Sequence, residues 1–295
     1  MPWPRTVRDC AADGIPVAVT CGILGFSRQA YYAWLANPVT DRDWDDAHAV
    51  HALRQAHADD PEFGYRLLAD ELADAGIAAS ENRVHRLCRE HRLWSTTTKK
   101  GRKSGKGRPG PAVHDDLVQR EFDAPAPDML WLTDITEHPT AEGKLYMCAI
   151  KDACTNRIIG WAIDSRMKAR LAVAALEMAV ALRQPTGQVI VHADRGSQFR
   201  SRKFTRALRR HELVGSMGRV ASAADNAAME SWFSLLQKNV LNRQKTWTSR
   251  DELRLAIVWW TVHTYNTRRR QRALGKMTPV AYELMLTGTP LTEAA

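Results

Sequence analysis

The sequence predicts a mixed α/β core preceded by small all-helical modules. Three observations carry that prediction. From residue 128 onward, three strand-like runs come first, and helical and strand-like segments then alternate. That order builds one sheet with helices laid on it. Before residue 96 the apolar spacing is helical throughout. Between the two lies 96–112, TTTKKGRKSGKGRPGPA, without one large apolar side chain. Such a stretch cannot form a core.

Taken in order, the first module is residues 1–45. In Val17–Leu35 a short helical pattern meets Gly25, Ser27 stands as an N-cap, and a second short helix follows. That is helix-turn-helix punctuation, although an ordinary helical hairpin has the same outline. Arg28 and Gln29 open the second helix, where such motifs read base edges. In the second helical module, 46–95, Leu67, Leu68, Leu72, Val84 and Leu87 form an apolar stripe. Gly76 ends one helix there and Ser80 caps the next. His85, Cys88 and His91 invite a zinc reading, but i, i+3, i+6 spacing spreads around a helix and no CxxC pair completes a tetrahedral site. A structural cysteine with two surface histidines is the better reading.

The linker, 96–127, crowds Lys99, Lys100, Arg102, Lys103, Lys106 and Arg108 between glycines. It reads as a flexible basic tether suited to tracking phosphates. In the core, 128–241, Met129–Thr136, Leu145–Ile150 and Arg157–Asp164 read as strands joined by tight connections at 141–144 and 152–156. Lys168–Gln184 is an Ala- and Leu-rich helix closed by Pro185 and Gly187. Val189–His192 is a short buried strand, Ser201 caps a helix through His211, and a strand follows near Leu213–Met217. Asp225 caps a last helix to about Leu241, and a basic helical extension, 242–295, closes the chain.

The 295 residues are 44% apolar, enough for one sizeable core. Lys and Arg number 42 against 33 Asp and Glu, a net charge of +9. That excess suits a polyanionic partner, because each neutralised phosphate releases a condensed counterion. The five cysteines form no CxxC pair and no regular framework, which points to a reducing compartment. MPWPRTVRDC lacks the apolar region of a signal peptide, and no apolar run approaches the ~18 residues of a membrane span. The expectation is a cytoplasmic, nucleoid-associated protein with no membrane partner.

Three carboxylates lie where such a sheet can gather them. Asp134 is inside the first strand, Asp194 directly follows the strand ending VIVHA, and Glu230 is in the second turn of the helix capped by Asp225. Carboxylates among apolar residues are costly unless paired, protonated or metal-bound. A hard divalent cation resolves the repulsion of three together, and two such ions can clamp the attacking and leaving oxygens of a phosphodiester. Asp152 and Asp164 compete for the role, and spacing alone does not choose among the five.

Local sequence does choose. WLTDIT around Asp134, HADRGSQF around Asp194 and DNAAMESWF around Glu230 resemble the DDE signature of bacterial insertion-sequence transposases. The likeness is to the second-frame (OrfB) subunit of the insertion-sequence-three family, whose cores resemble retroviral integrases. The 35 residues between Asp194 and Glu230 match that family's spacing. YNTRRRQRALGKMTPVAYE, 265–283, resembles its basic C-terminal block, and 63–94 resembles its second helix-turn-helix module.

The resemblance implies an RNase H-like core, two Mg²⁺ ions (Mn²⁺ can substitute) on Asp134, Asp194 and Glu230, and no covalent protein–DNA intermediate. It implies hydrolytic nicking at an element end and then attack by the freed 3′-OH. The partners it implies are double-stranded DNA of terminal repeats and target, further copies of the chain, and an upstream first-frame (OrfA) product. Arg195, Gln198, Lys238, Arg268 and Arg270 join Arg28, Gln29, Lys99, Lys100, Arg102 and Lys103 as expected DNA contacts. Asn226 is a supporting residue. His192 shares a strand face with Asp194 and either orients water or DNA or is simply packed. Gly196 permits the sharp turn that exposes Asp194. Trp131 and Trp232 read as core.

Two positions depart from the family pattern. Gln237 stands seven residues after Glu230, where Lys or Arg is usual, and Lys238 lies about 80° round the helix from Glu230. Gln271 stands where His is frequent. The competing reading is a non-catalytic DNA-binding regulator descended from a transposase, against which the intact triad argues. A third is a nuclease without joining activity, against which the helix-turn-helix modules and the basic extension argue.

Overall fold

The computed structural model describes residues 3–61, 63–95, 111–218, 227–244 and 246–288. The chain divides into two compact units, Met1–Thr96 and Thr97–Ala295.

The first unit is all helical. Helices α1 (Trp3–Ala12), α2 (Val17–Leu24) and α3 (Arg28–Ala36) close around Val7, Cys21 and Tyr31. Gly25 ends α2 at φ 72°, a left-handed conformation that costs glycine nothing. Ser27 Oγ accepts the Ala30 N–H at 3.1 Å and starts α3. The helix-turn-helix outline is therefore present, with α1 added by the structure. Helix α4 (Asp41–Asp59) begins at a capping box in which Thr40 and Asp43 satisfy each other's backbone. Because of that cap the helix runs unbroken through position 45, where the sequence reading placed a boundary. Helices α5 (Tyr65–Asp74) and α6 (Glu81–Glu90) bury Leu68, Leu72, Val84, Leu87 and Cys88 against Leu53 and Phe63.

The second unit is a three-layer α/β core. Its sheet comprises β1 (Leu130–Thr140), β2 (Gly143–Asp152), β3 (Ile158–Asp164), β4 (Ile190–Ala193) and β5 (Val214–Met217), in the order β3-β2-β1-β4-β5. The first three strands pair antiparallel, while β4 joins β1, and β5 joins β4, in parallel. Strand β1 outruns the expected Met129–Thr136 because Glu137–Thr140 continue to pair with β2, up to Thr140 opposite Gly143.

The two sheet faces carry separate cores. Trp131, Cys148, Ile150, Val191 and Ala193 pack under α7 (Ala169–Arg183) and α8 (Arg202–Arg210). Gly160 makes that layer fit, since a Cβ there would lie 2.5 Å from the Ala175 carbonyl oxygen. On the other face Leu130, Leu132, Met147 and Ala149 pack with Met229, Trp232 and Leu236 of α9 (Ala227–Asn239).

Much of the C-terminal extension belongs to this second core. Leu253 and Ile257 of α10 (Arg250–Trp259) are buried with Trp260 and Tyr265 in the same cluster as Trp232. Trp260–Asn266 is a π-helical stretch. Five-residue steps fall roughly 140° apart on an α-helix, whereas i→i+5 bonding brings them onto nearly one face. Trp260 and Tyr265 accordingly both reach the Trp232 ring, at centroid distances of 6.3 and 6.0 Å. Glu283 of α11 (Pro279–Thr287) accepts from Arg157 and from the buried Arg183, which also holds Asp128.

Candidate active site

Sheet parity decides where the acidic residues point. Successive strand side chains alternate faces. Leu130 and Leu132 lie on the α9 side, so Asp134 follows them there. Ile190 also packs on that side, so His192 and Asp194 share it. The last registered pairs of the parallel β1–β4 ladder are Leu132 with His192 and Thr133 with Ala193. Asp134 and Asp194 each follow that last pair by one residue. The thiol of Cys148 is pushed up to about 12 by its burial, and both aspartates add to the shift. One thiol thus lies within electrostatic reach of both carboxylates.

Each aspartate is tied to local backbone. Asp134, 9% exposed, accepts the Ile135 N–H on Oδ1 at 2.7 Å. Asp194 Oδ1 accepts the Gly196 N–H at 2.8 Å. A Cβ on Gly196 would sit 2.7 Å from that same oxygen. The sequence argument gave Gly196 a conformational role, but its φ is not left-handed. What requires glycine is the close approach of the carboxylate.

Glu230 arrives on α9. Met229, Trp232 and Leu236 form the buried stripe of that helix, and Glu230 stands half-buried at its border. The structure therefore puts all three carboxylates toward the α9 side of the sheet. It does not draw them into one cluster: among the described residues no three His, Cys, Asp or Glu side chains are gathered as a metal cage. Asp225 and Asn226, which lead into α9, lie outside the described residues.

The two competing carboxylates have other work. Asp152 is fully buried and accepts from the N–H groups of Asp128 and Thr155 and from the Thr155 hydroxyl. Asp164 is bridged by Arg170.

The remaining candidates divide. His192 is packed, 2% exposed, with Nδ1 3.0 Å from Ser216 Oγ and its ring edge-on to Phe122. Arg195 Nε donates to the Gly218 carbonyl at 2.7 Å, and Gln198 donates to that of Met167 at 3.3 Å. Arg28, Gln29 and Arg268 are exposed, while Lys238 and Arg270 are half-buried. Lys99, Lys100, Arg102 and Lys103 lie outside the described residues. Gln237 donates to Asn242 Oδ1 at 2.9 Å. Gln271 lies near the Tyr265 hydroxyl, whose pKa burial pushes up to about 12. Sequence reasoning missed the aromatic cage on Trp232, because the π-helical step that aligns Trp260 with Tyr265 has no simple periodicity.

Comparison with known proteins gives the family. The pattern described as "Integrase core domain" matches residues 124–223 and again 213–279, and "HTH-like domain" matches 43–101. The uncharacterized 31 kDa protein of insertion element IS600 from Shigella sonnei is 33% identical over 263 residues, covering 89% of this chain and 96% of that protein. The chain belongs to the insertion-sequence transposases. The transposase InsF of insertion sequence IS3A from Escherichia coli (strain K12) is 30% identical over 270 residues, 90% of this transposase and 93% of that one. A transposase of element IS986/IS6110 from Mycobacterium bovis is 33% identical over 259 residues, 86% and 93% of the two chains.

Among solved structures, the simian T-cell lymphotropic virus intasome covers 81% of this transposase and 75% of its own chain at 14% identity and TM-score 0.46. The HTLV-2 integrase catalytic core in complex with magnesium covers 54% and 99% at 15% identity and TM-score 0.43. No helix among the described residues is long and apolar enough to cross a membrane.

Proposed function

We propose that this transposase cuts DNA at the ends of its insertion sequence and joins the freed 3′-OH to a second duplex, using Asp134, Asp194 and Glu230. The observation that supports the reading is the parallel β1–β4 register, whose last pair, Thr133 with Ala193, immediately precedes Asp134 and Asp194 on the sheet against which α9 packs. The donor set is all carboxylate oxygen, which fits hard divalent cations: two Mg²⁺, with Mn²⁺ able to substitute. When bound, the ions supply charge to the attacking and leaving oxygens of the phosphodiester.

The protein's own part is positioning. Gly196 fixes Asp194 through its N–H, and the Trp232 cage fixes the helix of Glu230. The helical modules 1–45 and 46–95 hold double-stranded DNA, with Arg28 and Gln29 at base edges. The linker 96–127 tracks phosphates, and Arg268 and Arg270 of 242–295 add contacts beside the core 128–241. The working form is a homo-oligomer in the cytoplasm, on the nucleoid, joined or aided by an upstream first-frame product.

Electron paramagnetic titration of the full chain with Mn²⁺ tests the metal assignment. Wild type binds Mn²⁺, and Asp134→Asn, Asp194→Asn and Glu230→Gln each weaken binding at least tenfold. Unchanged Mn²⁺ affinity in the triple variant contradicts the reading.

A further inference from the structure

Helix α8, which follows the Asp194 loop, carries Arg202, Lys203, Arg206, Arg209 and Arg210 and no acidic residue. All five are exposed, while Phe204, Ala207 and Leu208 face the core. Arg210 is engaged by Glu177 of α7, which also takes His211. Arg202, Lys203, Arg206 and Arg209 have no ion-pair partner among the described residues. At about 100° per residue, Arg202, Arg206 and Arg209 fall within roughly 60° of one another, one stripe about 10 Å long. Like charges three and four residues apart on a helix destabilise it. A polyanion laid along the stripe reverses that cost.

Both ends of the stripe are informative. Its N-terminal end adjoins the loop 194–201, where Arg200 N–H returns to the Gly196 carbonyl and Ser201 N–H to that of Gln198. Its C-terminal end meets the segment entering the core. His114 packs over Gly215 of β5, where a Cβ would touch its ring at 2.6 Å. Its pKa is lowered by burial and then by the charge of Arg209. Leu117 N–H donates to Ser216 Oγ, and Met217 N–H to the Asp115 carbonyl. That anchor directly follows the basic stretch 96–112 in sequence.

We propose that Arg202, Lys203, Arg206 and Arg209 of α8 form a phosphate-tracking surface that leads the element-end duplex from the basic linker toward Asp194. The surface is assigned to the phosphate backbone, whose regularly spaced charges a stripe of cations can neutralise whatever the sequence. Continuity with the linker that joins the core to the helix-turn-helix modules favours the element end over target DNA. The proposal rests on the transposase reading of the site.

The test uses the full chain carrying Arg202→Gln, Arg206→Gln and Arg209→Gln together, with fluorescence anisotropy on a terminal-repeat duplex over a range of salt. The log–log salt slope falls by about 0.9 for each lost contact, close to three in all. Unchanged melting shows that the fold is intact. A photo-crosslinker on Arg206→Cys in a joining reaction labels the element end. An unchanged slope, or labelling confined to the target duplex, overturns the proposal. Asp134→Asn serves as the separate control: it keeps the wild-type slope and loses joining. If Asp134→Asn still joins strands, the catalytic reading fails alone, and the slope still decides α8.

Discussion

Asp194 holds its position because its neighbour two residues on has no side chain. Gly196→Ala puts a methyl carbon 2.7 Å from Asp194 Oδ1, closer than any packed carbon tolerates. Strand joining therefore falls by roughly 100-fold, since small misplacements at a reacting centre cost about that much. The melting temperature changes little, because the strain is local. Parallel joining and melting assays on the variant check this.

His138 is a second sensitive residue. It is 4% exposed on β1, and burial depresses its pKa to about 4, with Glu137 opposing. An unfolded histidine titrates near 6.5. Between pH 6.5 and 4 the unfolded chain takes up a proton that the folded chain refuses, so stability falls as pH falls, by about 3 kcal/mol across the window. Urea midpoints at pH 7 and 5 should diverge in wild type and diverge less in His138→Leu. Equal divergence would remove His138 from the account.

At this scale local sequence chose the three carboxylates over Asp152 and Asp164, which the structure engages with Thr155 and Arg170. The roles of His192, Arg195 and Gln198 were not legible, because their partners, Ser216, Gly218 and Met167, are distant in sequence.

Elements were the most legible level. Ser27, Ser80 and Ser201 cap the helices expected of them, and the strands fall where apolar runs meet turn residues. The π-helical Trp260–Asn266 was not visible. Its function is tertiary: Asn266 exchanges hydrogen bonds with both the N–H and the carbonyl of Ile158, extending the edge of β3, and the Tyr265 hydroxyl donates to Asn156 O at 3.0 Å. Asn266→Ala leaves two buried backbone groups of β3 unpaired, a loss of about 2–4 kcal/mol. Tyr265→Phe costs about 1 kcal/mol. Urea unfolding should rank them in that order, and a neutral Asn266→Ala would show that the π-helical segment does not anchor the sheet edge.

For the whole molecule, the sequence reading gave five segments with a basic tether at 96–127, whereas the structure has two compact units meeting at residue 96. That reading did not foresee that the C-terminal extension shares a core with α9. Its arginines mark it as a basic tail, while Leu253, Ile257, Trp260 and Tyr265 on the same stretch are buried with Trp232. The helix bearing Glu230 thus depends on residues more than twenty positions downstream. Joining of a labelled terminal-repeat strand to a second duplex in Mg²⁺ tests the central claim most directly. Wild type should yield joined product, while Asp134→Asn, Asp194→Asn and Glu230→Gln should bind the ends normally and fall at least 1,000-fold in joining, about 4 kcal/mol of barrier. Joining by any of the three at the wild-type rate would contradict the account.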